Sequence, residues 1–121
     1  HVVTRRQRQM CIRDRIETPA GVAALDDILA VEGVDAVFIG PSDLSANYGH
    51  IGNPGAPEVV EAVQSSLDKI AASDKASGIM ALDPAAAKSY LDRGVDFVAV
   101  SIDARTLALS LRAIAADMRN R

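Results

Sequence analysis

Phe38-Ile39-Gly40-Pro41-Ser42-Asp43-Leu44-Ser45-Ala46-Asn47-Tyr48-Gly49 is the stretch on which the fold of this chain turns. It continues from Ala36-Val37, so an apolar run stops abruptly at Gly-Pro and hands over to small polar residues around one carboxylate, Asp43. A continuously apolar strand is what a sheet covered on both faces requires. Parallel α/β proteins place ligands just outside the carboxyl ends of such strands. Asp43 is therefore a candidate functional residue, and its chemistry depends on what the neighbouring strand ends carry.

One unit earlier, Ile16-Glu17-Thr18-Pro19 has the form of a strand end entering a helix. Thr18 can cap that helix, and Pro19 suits a first turn where no N–H is needed. The spacing of Val22, Leu25, Ile28 and Leu29 predicts one helix over residues 19–32, stopped by Gly33, and then a strand over 35–39. Residues 40–56 hold four glycines and two prolines and are expected to form a long, functional loop. A helix is predicted over 57–73, with Val59, Val60, Val63, Leu67 and Ile70 on its inner face. A strand over 77–82 follows, then a helix capped by Asp83 with Pro84 in its first turn and ended by Gly94. The last strand covers 96–102, and Asp103 caps a final helix carrying Leu107, Leu111, Ile114 and Met118. Alternating strands and helices with short links are the pattern of parallel βα units. Four such units are half of an eight-unit barrel, which usually needs about 250 residues. The expected fold is α/β, the C-terminal half of a (β/α)8 TIM barrel. No shorter period recurs, which argues against a solenoid.

Composition narrows the function. The chain has 121 residues, 49% hydrophobic and 24% charged, as in a soluble globular domain. Aromatic content is only 3% and the net charge is -3, so clustered cations and stacking platforms for nucleic acid are not expected. A single cysteine, Cys11, excludes an internal disulfide and a cysteine-built zinc site. No apolar run approaches the roughly 20 residues of a membrane span. The start carries no signal-peptide core. No membrane association and a cytoplasmic location are expected. Residues 1–15 differ from the rest, holding Arg5, Arg6, Arg8, Arg13 and Arg15 in an otherwise acidic chain. The string from Gln9 to Arg15 resembles translated library-adapter sequence. Residues 1–15 are accordingly expected to be a foreign-looking or disordered segment, with residues 16–121 forming the partial barrel domain.

Glu17 and Asp43 fall at successive strand ends, which sit side by side at the active face of a barrel. Two carboxylates there, with no neighbouring Lys or Arg, repel each other and call for a hard divalent cation with oxygen ligands. Spacing alone leaves open a structural reading, in which Glu17 caps a helix and Asp43 holds a turn. The loop favours the cation. Its Ser42 and Asp43 N–H groups make a nest suited to a carboxylate. A 2-oxo acid such as pyruvate would fit, with a metal acting as Lewis acid to stabilise an enolate. Lys69, Lys75 and Lys88 lie on helices or at their ends, away from strand ends, which argues against a Schiff-base mechanism. Gly49, Gly52 and Gly55 are not followed by the Lys-Ser/Thr of a phosphate loop. Met80 is a candidate pocket wall or core residue, Tyr48 a candidate cover or subunit contact.

Beyond these residue-level readings, Ile16-Glu17-Thr18-Pro19, Val31 through Ser45, Asn53-Pro54-Gly55, Pro57-Glu58-Val59 and Gly94 through Val100 resemble the HpcH/HpaI aldolase family. The resemblance runs from Ile16 to the C-terminus, and the Gly-Pro-Ser-Asp-Leu segment is its most specific part. Within the family the chain looks most like the class II 4-hydroxy-2-oxo-acid aldolases, including the 2-dehydro-3-deoxyglucarate branch. The resemblance implies a barrel of the phosphoenolpyruvate/pyruvate superfamily, reversible cleavage of 4-hydroxy-2-oxo acids to pyruvate and an aldehyde, and use of Mg²⁺, Mn²⁺ or Co²⁺. It implies metal ligation by Glu17 and Asp43 and backbone contacts from Ser42 and Asp43 to the pyruvate carboxylate. It also implies a homo-oligomer at full length. The family's catalytic His and Arg come from the first half of the barrel. His50 is not assigned the base role, and Arg105 is expected on a helix surface or interface. Two alternatives stand beside the aldolase: a catalytically incomplete piece acting at most as a metal-binding or assembly module, and an acyl-CoA lyase like the citrate-lyase β-subunit.

Overall fold

The computed structural model describes residues 12–119. The elements are β1 (Ile12–Ile16), α1 (Pro19–Ala23), α2 (Leu25–Leu29), β2 (Val34–Ile39), α3 (Pro41–Asn47), α4 (Pro57–Ala71), β3 (Ala76–Ala81), α5 (Pro84–Asp92), β4 (Phe97–Val100) and α6 (Asp103–Arg119). The four strands form one sheet in sequence order, every pair parallel. This is the arrangement of a partial (β/α)8 barrel, as the alternation of elements implied. Residues 1–11, including Cys11 and most of the arginine-rich segment, lie outside the described residues. β1 itself begins at Ile12, four residues ahead of the expected start of the domain at Ile16.

Register assigns the two faces of the sheet. Ile16, Ile39, Ile79 and Val98 form one lateral row. The three isoleucines are almost wholly buried, in a cluster with Leu25, Val59, Val63, Leu67 and Ile70 from the helices. Side chains alternate along a strand, so the neighbouring row, Arg15, Phe38, Gly78 and Phe97, faces the opposite side. There the Phe38 and Phe97 rings lie 5.6 Å apart, tilted at 31°. Gly78 makes that approach possible, because a Cβ built on it would come within 2.2 Å of Phe97 Cζ and 2.7 Å of Phe38 Cδ2.

Local signals placed most helix ends. Thr18 Oγ1 accepts from the Gly21 N–H at 3.0 Å, and Asp83 Oδ1 accepts from the N–H groups of Ala85 and Ala86. Gly94 follows the end of α5 with φ of 94°, a left-handed conformation that suits glycine. Gly33, also at 94°, does not stop the helix as expected, since α2 ends at Leu29 and Gly33 lies in the turn just before β2. Four other expectations need correction. The helix expected over 19–32 is two short helices, α1 and α2, with Ala24 ending the first and preceding the second. Residues 40–56 are not all loop, since Pro41 sets the first turn of α3. Val60 is exposed, because it lies off the face of α4 that turns Val59, Ala62, Val63, Ser66, Leu67 and Ile70 inward. On α6, Leu107, Leu111, Ile114 and Met118 are all exposed, and the helix buries no residue.

At the opposite end of the sheet from the strand C-termini, Asp96 stitches β4 to β3. Its Oδ2 accepts from the Ser77 N–H at 2.7 Å and from Ser77 Oγ at 2.8 Å. These two donors, backbone first, hold the Asp96 carboxyl below the usual aspartate range. A depressed carboxylate stabilises the fold fully above its unfolded pKa and loses that effect as pH falls through the folded value.

Two outcomes are expected. Gly78→Ala should destabilise the fold by about 1–3 kcal/mol by pushing the two Phe rings apart, measurable by denaturant unfolding. Asp96→Asn should lower the melting temperature at pH 7, and the gap to wild type should close as pH drops below about 4, read by circular dichroism.

Candidate active site

The site grows from the ladder between β1 and β2. The Gly40 N–H donates to the Ile16 carbonyl at 3.0 Å, carrying parallel pairing one residue past β2. Glu17 and Gly40 thereby become neighbours at the strand ends. A Cβ built on Gly40 would meet Glu17 Cγ at 3.0 Å, Glu17 Oε1 at 3.2 Å and Asp43 Oδ2 at 3.5 Å. The two carboxylates expected at adjacent strand ends therefore converge on the space that glycine leaves empty. Glu17 Oε1 is buried and receives no hydrogen bond. A buried carboxylate oxygen without a hydrogen bond, facing a second carboxylate across a gap, offers two oxygen ligands of the kind a hard cation takes. Among the described residues, no group of three or more His, Cys, Asp or Glu is placed to hold a metal ion, and Glu17 and Asp43 form a pair of candidate ligands only.

The expectation that no Lys or Arg neighbours the pair is corrected. The Arg15 guanidinium contacts Glu17 Oε1 as an ion pair. Residues two apart in an extended chain point to the same side, which brings Arg15 and Glu17 together. The contact is one of charge without the alignment of a hydrogen bond, and the Arg15 side chain is 63% exposed.

Ser42 and Asp43 occupy the first turn of α3, after Gly40 and Pro41. A helix start leaves its first N–H groups without intrahelical partners. Gly40 gives no side-chain cap, its own N–H is spent on Ile16, and Pro41 has none. The free donors of this turn are therefore those of Ser42 and Asp43, on a helical turn instead of the expected loop nest. Ser45 Oγ, fully buried, donates to the Ser42 carbonyl at 2.8 Å. Asn47 Nδ2 donates to two carbonyls, those of Glu17 and Asp43, at 3.0 Å each. Neither brace was expected. The signal for both is the i+3 and i+4 spacing from Ser42 and Asp43, which carries meaning only once 41–47 is known to be a helix.

A cleft of about 460 Å³ opens beside this turn, walled by Ser42, Gln64, Met80, Asp83, Tyr90 and Arg105 among others. It shares Ser42 with the site but is lined by neither Glu17 nor Asp43. Met80 is thus a cleft wall, and Arg105 faces the cleft instead of serving only a helix surface. Burial raises the Tyr90 phenol above its ordinary range, partly offset by Arg93. His50 pairs with Glu58 at the start of α4. Lys69 pairs with Asp26, at 2.7 Å, well away from any strand end.

Residues 3–109 match the family model for HpcH/HpaI aldolase/citrate lyase. The chain is 48% identical over 111 residues to a hydroxypyruvate/pyruvate aldolase of Roseovarius nubinhibens, covering 92% of this chain and 43% of that protein. It is 48% identical over 108 residues to a 4-hydroxy-2-oxo-heptane-1,7-dioate aldolase of Escherichia coli, covering 89% and 41%. A crystal structure of an HpcH/HpaI aldolase/citrate lyase family protein from Burkholderia cenocepacia superposes with a TM-score of 0.81 at 34% identity, covering 91% of this chain and 43% of that one. The chain thus spans less than half the length of the relatives it matches. With a match running through β1, the Glu17–Gly40–Asp43 site and every later strand, this chain belongs to the HpcH/HpaI aldolase/citrate lyase family.

Proposed function

We propose that the protein is a divalent-metal-dependent aldolase cleaving 4-hydroxy-2-oxo acids to pyruvate and an aldehyde. The observation that carries this reading is the convergence of Glu17 Oε1 and Asp43 Oδ2 on the gap at Gly40. The aldolase names of the relatives support the same reaction class.

In this reading Glu17 and Asp43 hold the cation, with Mg²⁺, Mn²⁺ or Co²⁺ as the candidates. When bound, such a cation supplies Lewis acidity to the carbonyl of a 2-oxo acid. The Ser42 and Asp43 N–H groups bind and orient the adjacent substrate carboxylate, helped by the positive end of α3. Gly40 keeps the space between the carboxylates clear. Arg15 neutralises Glu17 and limits the repulsion between the pair. The group that takes the C4-hydroxyl proton is assigned to the part of the barrel that this chain does not span. His50, engaged with Glu58, is left outside the proton transfer.

The test is pyruvate release from a 4-hydroxy-2-oxo acid by the full-length protein. Glu17→Gln and Asp43→Asn should each lower kcat/KM by about a hundredfold or more, and EDTA should do the same. Turnover that survives chelation and both substitutions would sink the proposal. Gly40→Ala is a finer probe. Gly40 has φ of -107°, which alanine adopts freely, so the substitution acts through space and not through backbone strain. It should weaken metal binding about tenfold by calorimetry.

A further inference from the structure

We infer that Asn47 is the positioning residue that fixes the distance between the two carboxylate-bearing segments, an inference that rests on the metal reading above. Glu17 and Asp43 belong to different elements, the end of β1 and the first turn of α3. Their side chains can share one cation only if those elements hold a fixed separation. Gly40 secures the β2 side of that junction through Ile16. Nothing in the strand ladder secures Glu17 itself, whose carbonyl lies one residue beyond β1.

Asn47 supplies that restraint from 30 residues away. It closes α3, so its side chain lies one turn from Asp43 on the same helix face. Its amide nitrogen carries two protons. One meets the Asp43 carbonyl and the other the Glu17 carbonyl, both at 3.0 Å. A single planar group thus clamps the backbones of both proposed ligands and touches neither carboxylate. Ser45 braces the same turn from the buried side, leaving Asn47 as the link across to β1. Groups that orient metal ligands in this way typically change metal affinity about 10–100-fold when removed.

The experiment measures Mn²⁺ affinity by electron paramagnetic resonance on the full-length protein, alongside melting of the metal-free form. Asn47→Leu keeps the branched shape and removes both donors, and Asn47→Ala removes the side chain. Both should weaken Mn²⁺ binding about tenfold or more while the metal-free melting temperature stays at the wild-type value. Wild-type Mn²⁺ affinity in both variants, with Glu17→Gln abolishing binding, would overturn the role of Asn47 and leave the metal reading standing. A loss of affinity matched by a lower metal-free melting temperature would overturn it too, as a general structural effect. Failure of the wild type to bind Mn²⁺, or equal binding by Glu17→Gln, would overturn the inference together with the reading beneath it.

Discussion

The hydrogen bond from the Gly40 N–H to the Ile16 carbonyl is the contact on which the rest of the site depends. It extends parallel pairing beyond the formal end of β2, where the backbone would otherwise be free to diverge. Register propagates with a period of two, so this one bond decides that Glu17 lies against Gly40 and not against a bulky neighbour. Gly40 then matters for what it lacks. Any Cβ would occupy the space toward which the Glu17 and Asp43 oxygens point. Two like charges are brought close at a cost that Arg15 partly offsets.

The sheet shows two unequal faces. On the helix side, Ile16, Ile39 and Ile79 are sealed beneath α2 and α4 in an aliphatic core, with Tyr48 and Tyr90 packed at its margin. On the other side, the Phe38 and Phe97 rings are only half-buried and meet across Gly78. In a closed barrel that second face is the interior, filled by side chains from alternate strands. The chain covers about 43% of the relatives it matches, and the partly covered inner row and the exposed apolar residues of α6 are the structural counterpart of that fraction.

Function and stability separate along the strands. At the C-terminal ends sit the first-turn N–H groups of Ser42 and Asp43, the Glu17–Asp43 pair and the cleft beyond Ser42. At the other end, Asp96 and Ser77 satisfy each other in a closed exchange, with the Asp96 N–H returning a bond to Ser77 Oγ at 3.2 Å. Satisfied polar groups lock a structure in place, whereas groups left poised toward open space are available to a ligand. The same division recurs in backbone strain. Ser101, just past β4 at the active end, holds φ of 62° without being glycine.

Sequence by itself determined the parts that local physics controls. The apolar run ending at Gly40 marked β2 and the run Phe97 through Val100 marked β4, Thr18 and Asp83 marked helix starts, and alternation of elements gave the parallel order. Glu17, Ser42 and Asp43 could be named as candidates because strand ends and the Gly-Pro turn are visible along the chain. Only the tertiary structure decided which atoms meet. The short α3 was hidden because four glycines and two prolines in 40–56 suggested loop throughout, though Pro41 fits a first helical turn. Arg15 meets Glu17 through the two-residue alternation of an extended chain, whereas the gap at Gly40 and the reach of Asn47 to the Glu17 carbonyl follow from register between segments far apart in sequence, up to 30 residues for Asn47. No local pattern encodes that register. It is set by which side chains the helices and strands bury together, and that is a property of the folded sheet.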